Sequence, residues 1–151
     1  MTTQIFINLN FINIMKKYLL TLVLVLSSMF ASAQIDKIVG EWYTVDDETG
    51  AVKALVNIYQ GDNGLYYGQI IKVFKNGVEN PDSPNKGLVI VKDMEGKDGM
   101  LMGGTIYEPE SKKTYYAKIS YNNDSNTITL RGSIDKRGWV GRSQTWIKEK
   151  E

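Results

Sequence analysis

Apolar and polar residues alternate with a period of two along most of the chain after residue 40. Such alternation is typical of β-strands with one face in a core and the other in solvent. No sustained helical period accompanies it. The pattern therefore predicts about eight strands. The clearest are 52–59, 67–73, 114–121 and 127–131, and shorter candidates are 41–45, 88–92, 100–107 and 142–148.

Clusters of Gly, Asn and Asp separate these segments and favour tight turns. A strand plus its turn takes about 10–15 residues, a spacing typical of antiparallel sheets. The predicted fold is all-β, an antiparallel up-and-down barrel of about eight strands, because closure hides the strand edges. A sandwich is the alternative. Residues 75–86, with two prolines, are predicted to form a long loop at one mouth, and residues 35–39 a helical turn plugging the other end.

The N-terminal segment has a different pattern. Lys16 and Lys17 precede the apolar run 18–30, and Ala31-Ser32-Ala33 follows it. This is the three-part pattern of a secretory signal peptide with cleavage after Ala33. The apolar run is shorter than the roughly 20 residues that span a bilayer.

The leader divides the chain into two parts. Residues 1–33 are predicted to be the signal peptide, with true translation starting at Met15, because residues 1–14 have no role in the pattern. Residues 34–151 are predicted to form a single barrel domain, periplasmic or secreted and without a membrane span. Since no cysteine follows the cleavage site, a lipoprotein is not expected.

Composition then narrows the chemistry. The chain has no cysteine and no histidine, which excludes disulfides, Cys/His zinc sites, and Cys-His and Ser-His-Asp catalysis. With 18 basic and 17 acidic residues, no excess charge favours nucleic acid. No catalytic residue, metal or cofactor is predicted. The sequence favours a non-catalytic protein, although carboxylates, Lys, Tyr and Ser remain available for proton chemistry.

One candidate site comes from the last predicted strand. Arg142, Gln144 and Trp146 share a face by the period of two. In a closed barrel the first and last strands pair, which is expected to bring Trp42 to them, with Arg131 nearby. This cluster either binds an anionic or planar ligand or closes the barrel as a buried network.

Other candidates depend on the barrel being hollow. Tyr67, Tyr107 and Tyr115 are possible cavity-lining residues, or ordinary core residues. The acidic cluster 46–48 is interpreted as a solvated turn rather than a metal site. The basic and aromatic residues at 136–139 are interpreted as a solvated hairpin.

Several motifs together resemble a known family. They are Gly40-Glu41-Trp42, Gly103-Gly104-Thr105-Ile106, Tyr107-Glu108-Pro109, Leu130-Arg131-Gly132 and Gly141-Arg142-Ser143-Gln144-Thr145-Trp146. The sequence from about Gly40 to Ile147 resembles the domain-of-unknown-function 2147 family of secreted or periplasmic bacterial proteins. The resemblance implies a lipocalin- or calycin-like barrel and no established activity. The G-x-W motif is also similar to that of lipocalins, where a basic residue of the last strand often covers the indole, and Arg142 and Arg131 are the candidates here.

The sequence therefore leaves two alternative functions open. The first is binding of a small apolar or aromatic ligand, which requires a cavity of a few hundred Å³. The second is a structural or protein-interaction role in the cell envelope with a filled barrel. An exposed Trp139 would favour the second.

Overall fold

The structure, a computed structural model, describes residues 2–148, with side chains described for residues 12–24 and 33–148. Helix α1 (Thr2–Ile38) precedes the strands of a single sheet. The strands are β1 (Gly40–Val45), β2 (Val52–Gln60), β3 (Tyr66–Lys75), β4 (Val78–Glu79), β5 (Val89–Lys97), β6 (Met100–Glu108), β7 (Lys113–Asn122), β8 (Thr127–Ser133) and β9 (Gly141–Lys148).

The sheet closes into an antiparallel barrel of eight strands, which confirms the predicted fold class. Consecutive strands pair along the whole sequence, except that β3 pairs with β5 and the two-residue β4 only extends β3. Closure occurs between β1 and β9, where Trp42 lies opposite Lys148 and Tyr43 opposite Ile147. Every long strand then has two neighbours, but this seam pairs only the last two residues of β9, so most of β9 has no ladder partner on β1.

A pair of glycines lets the barrel wall bend at β6. Gly103 has a φ of +83°, which side chains disfavour, and the pairing of β6 with β7 shifts register there. A side chain on Gly104 would collide with the backbone oxygen of Lys92 and the sulfur of Met94. The Gly103-Gly104 motif is thus explained by a bulge and by a close approach of β5 to β6.

The end of α1 closes one end of the barrel. Ile35 and Ile38 are buried in the same core cluster as Trp42, Met94 and Leu101. The plug predicted for residues 35–39 is thus present, but it is the end of the long helix α1, which stops at Ile38, rather than a separate helical turn. The connection between β3 and β5 contains only the short β4 and lies at the opposite end, as predicted for the long loop.

An earlier part of α1 is exposed, in contrast to its last turn. Side chains 12–24 are exposed, including Leu19, Leu20 and Leu24. In the last part of α1, Gln34 lies against Gly99 of the β5–β6 turn. Over the described residues, no helix combines the length and apolar character needed to cross a membrane.

Candidate functional site

A cavity of about 760 Å³ occupies the half of the barrel away from α1. The β1–β2, β6–β7 and β8–β9 turns and the β3–β5 connection surround its mouth. Its walls are largely apolar or aromatic, formed by Ala54, Ile70, Val73, Phe74, Ile90, Ile106, Tyr107, Tyr115, Leu130 and Trp146. The barrel is therefore packed at one end and hollow at the other, and the interior is not filled as the second expected function required.

One strand carries polar groups from the rim to the base of this cavity. Arg142, Gln144 and Trp146 of β9 all line it, as the period of two predicts. Their burial increases in that order: Arg142 is exposed, Gln144 half-buried and Trp146 only 1% exposed. Apolar residues of β8 lie opposite two of them, Leu130 at Gln144 and Ile128 at Trp146.

The indole nitrogen of Trp146 is buried and has no hydrogen-bond partner among the described residues. Buried polar groups are nearly always paired, and an unpaired donor costs about 1–3 kcal/mol. Trp146 lines the cavity, but its nitrogen exposes almost no surface to it, so an acceptor from a bound molecule reaches this donor only when the ring shifts. The unpaired donor therefore marks the inner end of the cavity as the place where a ligand would gain most by moving a side chain.

Ion pairs connect the turns around the mouth. Arg142 lies 3.8 Å from Asp47 and 3.4 Å from Glu108. Lys53 lies 3.4 Å from Asp46 and 3.5 Å from Glu110 on the facing turn. These pairs are exposed and contribute little stability each, but each basic side chain contacts two carboxylates from different turns. With Glu48 included, the rim has five carboxylates and two basic groups, so it is net acidic.

The Asp46 carboxylate organises the β1–β2 turn. It accepts hydrogen bonds from the Thr49 hydroxyl and backbone N–H, both at 2.8 Å, and from the Glu48 N–H. Led by the Thr49 hydroxyl, these bonds lower the pKa of Asp46 from 3.8 to about 2. Because the folded pKa lies below the unfolded one, the stabilising contribution is present above pH 3.8 and is lost as the pH falls through about 2. The cluster 46–48 therefore has the geometry of an ordered turn, as interpreted from the sequence.

The structure does not bring the five residues of the candidate cluster together. Trp42 lies at the opposite end of the barrel from Arg142, where its indole N–H donates to the Ile38 carbonyl at 2.7 Å. The cation over its ring is Lys148, at 5.8 Å, rather than either arginine. Lys148 belongs to the last strand, so the expected arrangement occurs with a different residue because Lys148 is directly opposite Trp42 in the register.

Arg131 also lies outside the cavity. It pairs with Ser143 in the β8–β9 ladder, one residue out of phase with the inward-facing Leu130. Its guanidinium donates to the Gly138 carbonyl at 2.9 and 2.7 Å and so holds the β8–β9 loop. Its place is therefore on the outer face, where it orders a loop.

Two of the three candidate tyrosines line the cavity, Tyr107 and Tyr115. Tyr67 does not, because its neighbour Gly68 faces the core side chains of Val56 and Val91. Tyr67 lies on the outer face, where its hydroxyl donates to Asp93 at 3.1 Å and its ring packs 5.9 Å from Tyr59. The expectation that Tyr67 lines the cavity is not met. Within residues 2–148, no group of three or more acidic side chains is arranged to hold a metal ion.

Comparisons with known proteins agree with this architecture. The model of a bacterial family described as "Uncharacterized protein conserved in bacteria (DUF2147)" matches residues 40–148. Protein HP1028 of Helicobacter pylori, described as belonging to the lipocalin family, has a similar solved structure with a TM-score of 0.58 and 22% identity. That match covers 74% of this chain and 82% of HP1028, and at this identity it shows the fold alone. No curated protein matches the chain.

Proposed function

We propose that this chain, which belongs to the DUF2147 family of uncharacterised bacterial proteins, binds a small apolar or aromatic molecule in the open half of its barrel. The observation that supports this most directly is the cavity itself, at whose inner end Trp146 lies with its indole N–H buried and unpaired. A volume of about 760 Å³ lies within the range of small-molecule sites. A binding function explains why the barrel is hollow at one end only.

The lining defines the chemistry of the ligand. Its body is apolar or aromatic, since aliphatic and aromatic side chains form most of the walls. Its inner end bears a hydrogen-bond acceptor, such as a carbonyl or ether oxygen, for Trp146. Its outer end is neutral or cationic, because five carboxylates against two basic groups disfavour an anion at the rim.

Two neutral fluorescent probes test this site. Prodan has a ketone oxygen that accepts hydrogen bonds, whereas phenylnaphthylamine is similarly apolar and has no carbonyl. We expect both to bind with saturation. We expect Trp146→Phe to weaken prodan about fivefold, the equivalent of one neutral hydrogen bond, and to change phenylnaphthylamine binding much less. Fluorescence titration measures both affinities.

The comparison of the probes separates the hydrogen bond from the volume lost in the substitution. Equal weakening of both probes would mean that Trp146 acts only by packing. Absence of saturable binding by either probe would contradict the proposed function. Trp139→Phe is the matched control, since Trp139 is 77% exposed and does not line the cavity.

Export is the second part of the proposal: residues 1–33 are removed as a secretory leader, and the barrel acts in the periplasm or outside the cell. Two features of α1 support this. Apolar side chains between residues 12 and 24 are exposed, whereas Gln34, Ile35 and Ile38, which follow the predicted cleavage site, pack against the barrel. Cleavage there would remove exposed apolar surface and leave Ile35 and Ile38 as the plug.

The intact mass of the protein recovered from the envelope fraction of the producing cell tests export. We expect a chain beginning at Gln34. A chain that retains residues 15–33, or one found only in the cytoplasm, would contradict it. Ala31→Leu with Ala33→Leu is expected to block processing, because signal cleavage requires small residues at these positions.

A further inference from the structure

The loop between β8 and β9, residues 134–140, exposes an apolar group of side chains beside the mouth. Ile134, Trp139 and Val140 are 67%, 77% and 60% exposed. Large side chains are seldom this exposed in a group on a soluble domain, and such a group often marks an interaction surface. Ile134 and Val140 also line the cavity, so this surface is continuous with the opening.

Hydrogen bonds hold the loop in this conformation. The Asp135 carboxylate accepts from the backbone N–H groups of Val140 at 2.9 Å and Trp139 at 3.2 Å. These bonds lower the pKa of Asp135. From the other side, Arg131 donates to the Gly138 carbonyl, and the Ser133 hydroxyl donates to the Asp135 carbonyl at 2.9 Å. The loop is therefore organised with Trp139 directed to solvent rather than folded onto the barrel.

The charged side chains of the loop differ from those of the rim. Asp135 is directed to the loop backbone, while Lys136 and Arg137 make no ion pair with any described carboxylate. Lys136 lies 5.8 Å from the ring of Tyr116, and Arg137 lies 6.0 Å from that of Trp139. The loop thus presents two unneutralised cations beside an exposed indole and two aliphatic side chains.

We propose that this loop docks on the surface of an anionic lipid bilayer, with Trp139 inserted and the net acidic rim of the mouth held clear of the headgroups. Tryptophan favours the interfacial layer, where its ring is among acyl chains and its N–H among headgroups. Lys136 and Arg137 complement anionic headgroups, and each basic residue near such a surface adds to the attraction. The proposal goes beyond ligand binding, since docking does not require an occupied cavity.

The size and place of the surface favour a bilayer over a protein partner. A stable protein interface buries about 800 Å² on each partner, more than three side chains of one short loop provide. A bilayer requires no matching shape. Because Ile134 and Val140 border the cavity, docking would place the opening beside the bilayer, while the five rim carboxylates keep it from direct contact with anionic headgroups.

Vesicle binding by the chain from Gln34 onward tests the proposal, since this form lacks the exposed apolar residues of α1. We expect binding to vesicles of phosphatidylcholine with phosphatidylglycerol, and weaker binding to phosphatidylcholine alone. The fluorescence of Trp139 is expected to shift to shorter wavelength on binding. Trp42 and Trp146 are already buried, so the shift reports Trp139.

Three variants test whether the side chains of this loop are responsible for vesicle binding. Trp139→Ser is expected to weaken vesicle binding about tenfold and to leave prodan binding unchanged. Lys136→Glu with Arg137→Glu is expected to remove the preference for phosphatidylglycerol. Lys92→Glu with Lys97→Glu, the same charge change on β5, is the matched control and is expected to have a small effect.

Three results would contradict membrane docking while leaving the proposed ligand site intact. The first is that the protein does not bind vesicles, and the second is that Trp139→Ser binds vesicles as well as the wild type. The third is that the loop and control charge variants lose vesicle binding equally. A photocrosslinker at position 139 that captures one envelope protein in cells, while vesicles do not bind, would assign the surface to a protein partner instead. Normal prodan binding in the same preparations would show that the cavity is intact.

Discussion

Replacing Trp42 with alanine is expected to destabilise the barrel by about 3–5 kcal/mol, the usual cost of truncating a fully buried tryptophan. The side chain is completely buried, donates to the Ile38 carbonyl, and packs edge-on against Tyr121 at 6.4 Å. Its loss would leave a cavity at the closed end and an unpaired carbonyl at the end of α1. Thermal unfolding of the chain from Gln34 onward should show a midpoint lower by about 12–20 °C.

Trp139→Ala is the matched control for this experiment, because the same residue type is removed from a site that is 77% exposed. Its expected effect is within about 0.5 kcal/mol. Trp42→Phe should lie between the two, since it keeps part of the packing and loses the hydrogen bond. Equal shifts for Trp42→Ala and Trp139→Ala would show that the closed end does not depend on the indole.

Gly132→Phe is expected to abolish saturable probe binding while the barrel remains folded. Gly132 lines the cavity on β8, opposite Arg142 and two residues before the loop, so a ring there would lie between the rim and Trp146. A β-carbon at this position would be 3.5 Å from that of Tyr115 and 3.6 Å from Ile106, ordinary contact distances. The added ring therefore enters the cavity rather than the packed wall.

Thr145→Phe is the matched control for the cavity variant. Thr145 is exposed on β9, between two residues that face the cavity, so its side chain points outward. We expect normal probe affinity for this variant and an unfolding midpoint close to that of Gly132→Phe. Retention of wild-type probe affinity by folded Gly132→Phe would place the probe elsewhere.

The barrel was predictable because most long strands alternate with a period of two and most turns contain Gly, Asn or Asp, the β6–β7 turn with Pro109 being an exception. The β-bulges could not be predicted from the sequence, since each inserts one residue into a strand without changing its composition. In β3 the pairing with β2 passes from Val56 opposite Ile70 to Leu55 opposite Lys72, so Ile71 is extra. Residues 67–73 therefore do not keep one face, and Tyr67 lies outside although Val73 lines the cavity.

The candidate site was predictable within one strand and not between strands. The inward face of Arg142, Gln144 and Trp146 follows from periodicity alone. Whether Arg131 joins that face depends on the register of β8. Antiparallel pairing of β1 with β9 already places Trp42, at the start of β1, against the end of β9 and away from Arg142, a consequence that the predicted cluster overlooked. The ion pairs that Asp47, Glu108 and Lys53 form at the mouth were missed, because these segments meet only when the barrel closes. The acidic cluster 46–48 and the Tyr107-Glu108-Pro109 motif were the available signals.

Native mass spectrometry of the protein recovered from the cell that produces it tests the central claim, that the open half of the barrel is a ligand site. We expect one small organic molecule per chain, released on unfolding, apolar or aromatic and bearing an acceptor oxygen. The Gly132→Phe variant, recovered in parallel, should lack it, whereas Thr145→Phe should retain it. A folded wild-type protein without any such molecule, which also fails to bind prodan, would contradict the claim.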